Sequence, residues 1–233
     1  MLLILSAPDD PITHLLAARW AHHASQIVTG DSLACAGWDY VPGRATQARV
    51  ALPHACVDAS AITAVLTRIS HVFPEHLSQI AEEDCDYVAQ EMTAFLTAWL
   101  DELPCPVLNR PRPGNLSGPS WPQARWRQLA ASLGHHVSRA RLDAPAAHPL
   151  GFPAHAQVWP TAVVAGSAVF GSVAPPLRMA ALALARRAGV ALLGVFFDAH
   201  GADAGLVGVT TTPDVHEPEV TDAVLALLLA RAP

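Results

Sequence analysis

Residues 105–126 constrain the fold more than any other part of this 233-residue chain. The stretch begins with Pro106-Val107-Leu108, an apolar run long enough for the end of a buried strand. A loop rich in proline and glycine follows, because proline cannot donate to a sheet and glycine tolerates turn conformations. Residues 121–133 are predicted to form a helix that ends at Gly134. A strand, a glycine-rich loop and a helix in this order are typical of ligand sites in α/β proteins.

The N-terminal segment predicts a parallel sheet. Residues 2–5 and 27–29 are strand-like, and between them Asp10 and Pro11 suit the first positions of a helix. A β-α-β unit of this kind joins two parallel strands. Further strands are predicted at residues 48–52 and 64–67.

Residues 82–103 are predicted to be the longest helix. Their apolar residues recur at intervals of three and four, which favours a helix with one buried face. The first turn is acidic, which complements the helix dipole. The later elements are predicted as a strand at 135–139, a strand pair at 161–166 and 168–171, a helix at 177–188, strands at 190–197 and 206–209, and a final helix at 219–230.

The basic residues exclude several classes of function. All 14 are arginine, and the net charge is −6. Scattered arginines on an acidic chain argue against nucleic-acid binding, which depends on clustered positive charge. The absence of lysine excludes Schiff-base chemistry and a lysine-bearing P-loop. No apolar run reaches the length of a membrane span and the start lacks a signal peptide, so a cytoplasmic protein without a membrane partner is predicted.

The central loop contains the best candidate site for an anion or a carboxylate. Its residues are Asn109, Arg110, Arg112 and Ser117. Arginine binds carboxylate and phosphate groups with two parallel hydrogen bonds, which makes it suited to such a ligand. The alternative is that Arg110 pairs with an acidic residue of the long helix, and the sequence leaves both open.

A metal site is a secondary possibility near the C-terminal end. The candidate ligands are Asp198, His200, Asp214 and His216. They follow the last two predicted strands, so they could converge at one end of a sheet. No H-x-x-x-H or H-E-x-x-H spacing supports them, and two solvated loops explain the same residues.

The central stretch resembles the end of the pre-ATP-grasp domain in ATP-grasp peptide maturases, which are relatives of glutamate-adding carboxylate–amine ligases. The residues that carry this resemblance are Leu108-Asn109-Arg110-Pro111, Leu116-Ser117-Gly118-Pro119 and Trp126. Asp84-x-Asp86-Tyr87 and Ala98-Trp99-Leu100 are similar to the long helix of the same domain. Residues 184–195 are similar to the helix and strand that precede the family's metal-binding strand.

The chain departs from this family where ATP and magnesium are bound. The family holds ATP phosphates with two lysines, and this chain has none. The aspartate of the family's VVGD segment is Ser167 here. The carboxylate and asparagine of the family's closing E-x-N segment are Thr210 and Thr212, and hydroxyl groups are poorer Mg²⁺ ligands. About 25 residues between the predicted strand at 135–139 and residue 161 are too few for the family's lysine-bearing subdomain.

The resemblance and these departures together predict an α/β protein of two domains. Residues 1–142 are expected to form a pre-ATP-grasp-like domain with a parallel sheet. Residues 143–160, which are rich in proline, are expected to be a linker. Residues 161–233 are expected to form a truncated ATP-grasp-like α+β remnant.

The implied function is a non-catalytic binding or scaffolding protein that needs no cofactor. Its expected partners are an active ligase, a second copy of the chain, a peptide or an acidic small molecule. The alternative is an active carboxylate–amine ligase that uses ATP and Mg²⁺, with arginines in place of the phosphate-binding lysines. Arg139, Arg141 and Arg178 are the candidates for that role.

Overall fold

The computed structural model describes residues 1–33, 36–52, 55–139 and 159–230. The chain divides into two compact units, which are Met1–Ser120 with Val215–Pro233, and Trp121–Asp214. Each unit has its own sheet and its own hydrophobic core. The predicted linker at 143–160 lies, except for its last two residues, outside the described residues.

The described residues contain ten strands and six α-helices, together with four short 3-10 helices. The strands are β1 (Leu2–Ser6), β2 (Gln26–Val28), β3 (Arg49–Leu52), β4 (Ala55–Asp58), β5 (Ala64–Arg68), β6 (Val107–Leu108), β7 (Thr161–Ala165), β8 (Ala168–Phe170), β9 (Leu192–Phe197) and β10 (Leu206–Thr210). The helices are α1 (Pro11–Arg19), α2 (Gly30–Leu33), α3 (Glu82–Glu102), α4 (Gln123–Ser132), α5 (Pro175–Ala188) and α6 (Pro218–Leu229).

The first unit is built on a parallel sheet with the strand order β2-β1-β5-β6, which confirms the predicted parallel sheet. Every residue of β1 is buried, because helices cover both faces of a parallel sheet. Leu3, Leu5 and Val65 belong to one core cluster with Trp99 and Leu100 of α3. Helix α1 contacts β1 and β2, and α6 contacts β5 and β6. A short antiparallel pair of β3 and β4 completes this unit.

A buried ion pair joins α1 to β5 inside this unit. The Nε atom of Arg68 lies 2.6 Å from Oδ2 of Asp10, and the side chains are 6% and 13% exposed. Asp10 also accepts a hydrogen bond from the backbone N–H of Ile12 at 3.0 Å, which confirms it as the N-cap of α1. One carboxylate therefore both starts the helix and neutralises the arginine at the end of β5.

The second unit contains an antiparallel sheet with the strand order β10-β9-β7-β8. The predicted strand pair β7–β8 and the antiparallel return of β10 are confirmed. The predicted strand at 135–139 is wrong, since its described residues form only an isolated parallel bridge from Val137 to Leu206. A single bridge holds this short segment against β10 without extending the sheet.

The bounds of the compact units differ from the predicted division at residues 142 and 161. Helix α4 belongs to the second unit, because Trp126 and Ala130 are buried in its core. Helix α6 belongs to the first unit, where it contacts the parallel sheet. Periodicity shows that a helix has a buried face, but it does not show which sheet covers that face. No helix among the described residues combines the length and the apolar composition that a membrane crossing needs.

At the outer edge of β10, the side chain of Gln123 forms the two backbone hydrogen bonds that a neighbouring strand would form. Gln123 donates from Nε2 to the carbonyl oxygen of Val209 at 2.8 Å and accepts at Oε1 from the N–H of Val209 at 2.9 Å. Further along the same strand, His136 and Ser138 bond both backbone groups of Leu206. Unpaired backbone groups on an edge strand invite pairing with other chains, and these contacts remove them.

Replacing Gln123 by alanine is expected to lower the free energy of unfolding by about 1–2 kcal/mol, because both backbone groups of Val209 lose their partner. Gln128→Ala is the matched control, since Gln128 lies exposed on the same helix. It should change stability by less than about 0.5 kcal/mol. Urea unfolding of both variants measures the difference, and equal effects would show that the Gln123 contacts contribute nothing.

Candidate functional site

A groove of about 720 Å³ lies within the first unit, beside α3. This volume falls in the range of about 300–1,000 Å³ that is typical of ligand pockets. One side is formed by a single face of α3, because these residues repeat at helical spacing: Asp86, Ala89, Gln90, Thr93, Ala94, Thr97 and Ala98. The other side is formed by His71, Val72 and Pro74 after β5, and by Pro113 and Gly114 of the central loop.

On the α3 side of the groove, Asp86 and Gln90 are polar, and the two threonines use their hydroxyl groups within the protein. The hydroxyl of Thr93 donates to the carbonyl oxygen of Ala89 at 2.8 Å, and that of Thr97 donates to the carbonyl oxygen of Thr93 at 2.8 Å. Thr93 also accepts from the N–H of Val72 at 2.9 Å, which ties the opposite side to the helix. Because both hydroxyls are used internally, the threonines act as methyl-bearing residues toward a ligand.

The turn at residues 112–115 shapes the second side. The N–H of Asn115 donates to the carbonyl oxygen of Arg112 at 2.9 Å, and Gly114 has a φ of +80°. Proline followed by a glycine with positive φ is the pattern of a type II turn. Ser117 donates through its N–H and its hydroxyl to Oδ1 of Asn115, at 2.8 and 2.9 Å. The predicted glycine-rich loop therefore does reach a cavity, through its turn.

His71 is the titratable side chain on this side of the groove. Its Nδ1 lies 3.0 Å from the hydroxyl of Ser70, and its ring centroid lies 4.0 Å from that of Phe73. Burial lowers the pKa of His71 below its ordinary value, while the Glu75 carboxylate raises that pKa and the His76 ring lowers it further. The neutral imidazole is therefore the favoured form in the folded protein.

Arg110 does not point into this groove. It caps the C-terminal end of α3, where its Nη1 donates to the carbonyl oxygens of Leu100 and Asp101, both at 2.9 Å. Its Nη2 donates to the carbonyl oxygens of Leu103 and Cys105, at 2.7 and 3.1 Å. Arg110 thus bonds the long helix through backbone carbonyl groups. The acidic side chain that the sequence analysis offered as the alternative partner is not the one it contacts.

The other predicted ligand-binding residues lie in the same loop as Arg110. Asn109 and Ser117 are buried at 5% and 1% exposure, and Nδ2 of Asn109 lies 3.5 Å from the carbonyl oxygen of Ser117. Arg112 is exposed at the start of the turn. The structure therefore brings these residues into one loop, while their role as ligands of an anion stays a prediction.

The proposed metal ligands have other contacts. Asp198 accepts from the N–H of Gly205 at 2.8 Å, and Nδ1 of His200 lies 2.6 Å from the carbonyl oxygen of Ser172. His216 lies 3.2 Å from the carboxylate of Glu217. Across the described part of the chain, no three histidine, cysteine or acidic side chains are grouped as metal ligands would be.

Thr210 and Thr212, for which the sequence resemblance implies a place at magnesium-ligand positions, bond each other. The two hydroxyl oxygens of Thr210 and Thr212 lie 3.3 Å apart, and the N–H of Thr212 donates to the hydroxyl of Thr210 at 3.1 Å. Neither residue supplies a carboxylate or an amide oxygen, so this pair does not fit a magnesium ion that carries ATP phosphates.

The groove itself was missed by the sequence analysis. Its signal is the uncharged stretch of α3 from Met92 to Leu100, which includes the exposed Ala94 and Ala98. A surface helix normally carries charged residues on the face opposite its core stripe. Small uncharged residues there indicate a face that stands against another surface.

The whole chain is similar in structure to ATP-grasp ligases. The macrocyclase MdnC from Microcystis aeruginosa MRC, bound with precursor peptide MdnA, matches 99% of this chain and 100% of its own with a TM-score of 0.71 and 9% identity. A RiPP-associated ATP-grasp ligase of Chryseobacterium gregarium, in complex with ADP and a leader and core peptide, matches 100% and 97% with a TM-score of 0.66 and 10% identity.

A RimK domain ATP-grasp protein from Sphaerobacter thermophilus matches 99% of this chain and 100% of its own, with a TM-score of 0.53 and 16% identity. No protein-family model and no curated protein matches the sequence. Identities this low establish the fold alone. The predicted α/β fold of the ATP-grasp type is therefore confirmed over nearly the full chain.

Arg110→Ala is expected to lower the free energy of unfolding by about 2–3 kcal/mol, because the terminal carbonyl groups of α3 lose charge-assisted hydrogen bonds. Arg110→Lys should recover only part of this loss, since an ammonium group lacks the planar fork that reaches several carbonyls. Arg112→Ala is the control and should cost less than about 0.5 kcal/mol. If urea unfolding gave the same stability for all the variants, the contacts of Arg110 with α3 would contribute nothing to stability. Anion binding would then be the better explanation of this residue.

Lowering the pH is expected to destabilise the protein through His71. Because the folded state lowers the pKa of His71, its contribution to stability is complete above about pH 6.5 and decreases as the pH falls below that value. His71→Gln should therefore weaken the dependence of unfolding free energy on pH between about 7.5 and 5.5. His22→Gln, at an exposed position, is the control and should keep the wild-type dependence.

Proposed function

We propose that this chain is a non-catalytic ATP-grasp-like protein of the cytoplasm that binds a peptide and works beside an active ligase in peptide modification. The proposal rests on one contrast. The ATP-grasp fold extends over nearly the full chain, whereas the groups that would hold ATP phosphates and magnesium are replaced.

Phosphoryl transfer depends on positive charge and metal ions at the phosphates. The chain has no lysine, and Thr210 and Thr212 are hydrogen-bonded to each other at the positions of the metal ligands. Without these groups, the transition state of ATP-driven ligation loses most of its electrostatic stabilisation. A binding or scaffolding role needs none of them.

Arginine could replace lysine only if its guanidinium group were available. Arg178 donates from Nη2 to the carbonyl oxygen of Gly171 at 2.7 Å and from Nε to that of Val173 at 3.3 Å. These bonds fix its side chain at the start of α5. Arg139 is exposed, and Arg141 lies outside the described residues. The contacts of Arg178 favour the non-catalytic function over an arginine-based ligase.

A peptide is the partner that the comparisons favour. MdnC is described with a bound precursor peptide, and the Chryseobacterium ligase with a leader and a core peptide. In this chain the groove beside α3 has the volume for part of a peptide, and its sides are mostly apolar. Peptide binding can persist after the loss of phosphate chemistry, because it depends on shape and burial and not on catalytic groups.

Titration calorimetry with ATP and excess Mg²⁺ tests the non-catalytic function. The expected result is no binding tighter than about 1 mM, which corresponds to about −4 kcal/mol. An active ATP-grasp ligase measured under the same conditions is the positive control. Sub-millimolar binding, or ADP release when carboxylic acids and amines are added, would contradict the proposal and support the arginine-based ligase.

A further inference from the structure

We propose that the groove beside α3 is the docking site for a short amphipathic helix with arginine or lysine in its last turn. This inference deepens the proposed function, on which it rests, by naming the class of peptide segment that is held and its direction. Length, hydrogen bonding and charge each support it.

The groove has the length of a short helix. Asp86 and Ala98 mark its ends on α3, and the twelve helical steps from one to the other span about 18 Å at 1.5 Å per step. A docked helix of the same length has about three turns and presents side chains at positions i, i+3, i+4 and i+7. Ala89 and Ala94 on α3 allow two helix axes to approach closely.

The sides of the groove favour a helix over an extended strand. The hydroxyls of Thr93 and Thr97 donate within α3, and the N–H of Val72 donates to Thr93. Pro113 has no N–H to offer. The remaining polar side chains of the lining are those of His71, Asp86 and Gln90, which leave most backbone groups of an extended peptide without partners. A helix bonds its own backbone internally and needs mainly an apolar surface.

The charge of α3 determines the direction. Its first turns carry exposed carboxylates at Glu82, Glu83, Asp84 and Asp86, and Asp86 lies at the groove. Within the described residues none of them forms an ion pair. From Met92 to Leu100 the helix has no charge. Basic residues are favoured at the C-terminal end of a helix, so the docked helix runs antiparallel to α3 with its last turn beside Asp86.

The test uses a fluorescein-labelled synthetic peptide of fourteen residues, held helical by a staple on its polar face. Leucine and alanine occupy the i, i+3, i+4 and i+7 positions, and two arginines occupy the last turn. Fluorescence anisotropy is expected to give a Kd on the order of 10 μM with the wild-type protein. Moving the arginines to the first turn should weaken binding at least fivefold, and so should a central proline in place of the staple.

Two substitutions locate the site on the protein. Ala94→Arg fills the groove at an exposed helix position and should weaken binding at least tenfold; Ala98→Arg serves the same purpose if the first variant does not fold. Asp86→Lys should abolish the preference for arginines in the last turn. The matched controls are Glu91→Lys, exposed on α3 but outside the groove, and Ala131→Arg, exposed on α4.

The outcomes separate this inference from the proposed function. Wild-type protein that binds none of the peptides, or binding that Ala94→Arg and Asp86→Lys leave unchanged, overturns the docking site whatever the ATP titration shows. Equal binding of the proline-containing peptide overturns the helical occupant. Tight ATP binding overturns the non-catalytic function, and the response of the peptides to the groove variants still decides whether the docking site exists.

Discussion

The contact of Arg110 with the end of α3 fixes the geometry on which the groove depends. The guanidinium group reaches back from the loop after β6 to carbonyl oxygens between Leu100 and Cys105. The same loop is tied to the end of β5, because the N–H of Leu116 donates to the carbonyl oxygen of Ser70 at 2.7 Å. These contacts link the helix, the strand and the turn that form the two sides of the groove.

The sequence predicts the parallel sheet but does not predict the contacts of Arg110 with backbone carbonyl groups, and the physical reasons differ. A strand buried on both faces, such as β1, is a continuous apolar run, and this pattern is visible locally. An arginine beside asparagine and serine has the same local pattern whether it binds an anion or caps a helix. The choice depends on where the chain places the end of α3, and that is a tertiary property.

The groove and the segment at residues 135–139 both show that local sequence patterns do not reveal contacts between distant parts of the chain. The stripe that contains Leu96 and Trp99 identifies the core face of α3, but the turn at 112–115 that stands near the opposite face comes from a distant part of the sequence. The segment at 135–139 has a strand-like composition around Val137, yet its described residues find one bridging partner in β10. The local sequence pattern indicates which secondary structure a segment favours, and contacts with distant residues decide whether that structure forms.

Five of the arginines have partners within the fold that occupy their guanidinium groups. Arg68 is paired with the Asp10 carboxylate, and Arg19 with that of Asp222 at 2.9 Å. Arg110, Arg127 and Arg178 donate to backbone carbonyl groups. A guanidinium group that satisfies buried or terminal backbone acceptors cannot move to a triphosphate without leaving those acceptors unpaired. At these five positions the guanidinium group is engaged by acceptors within the protein.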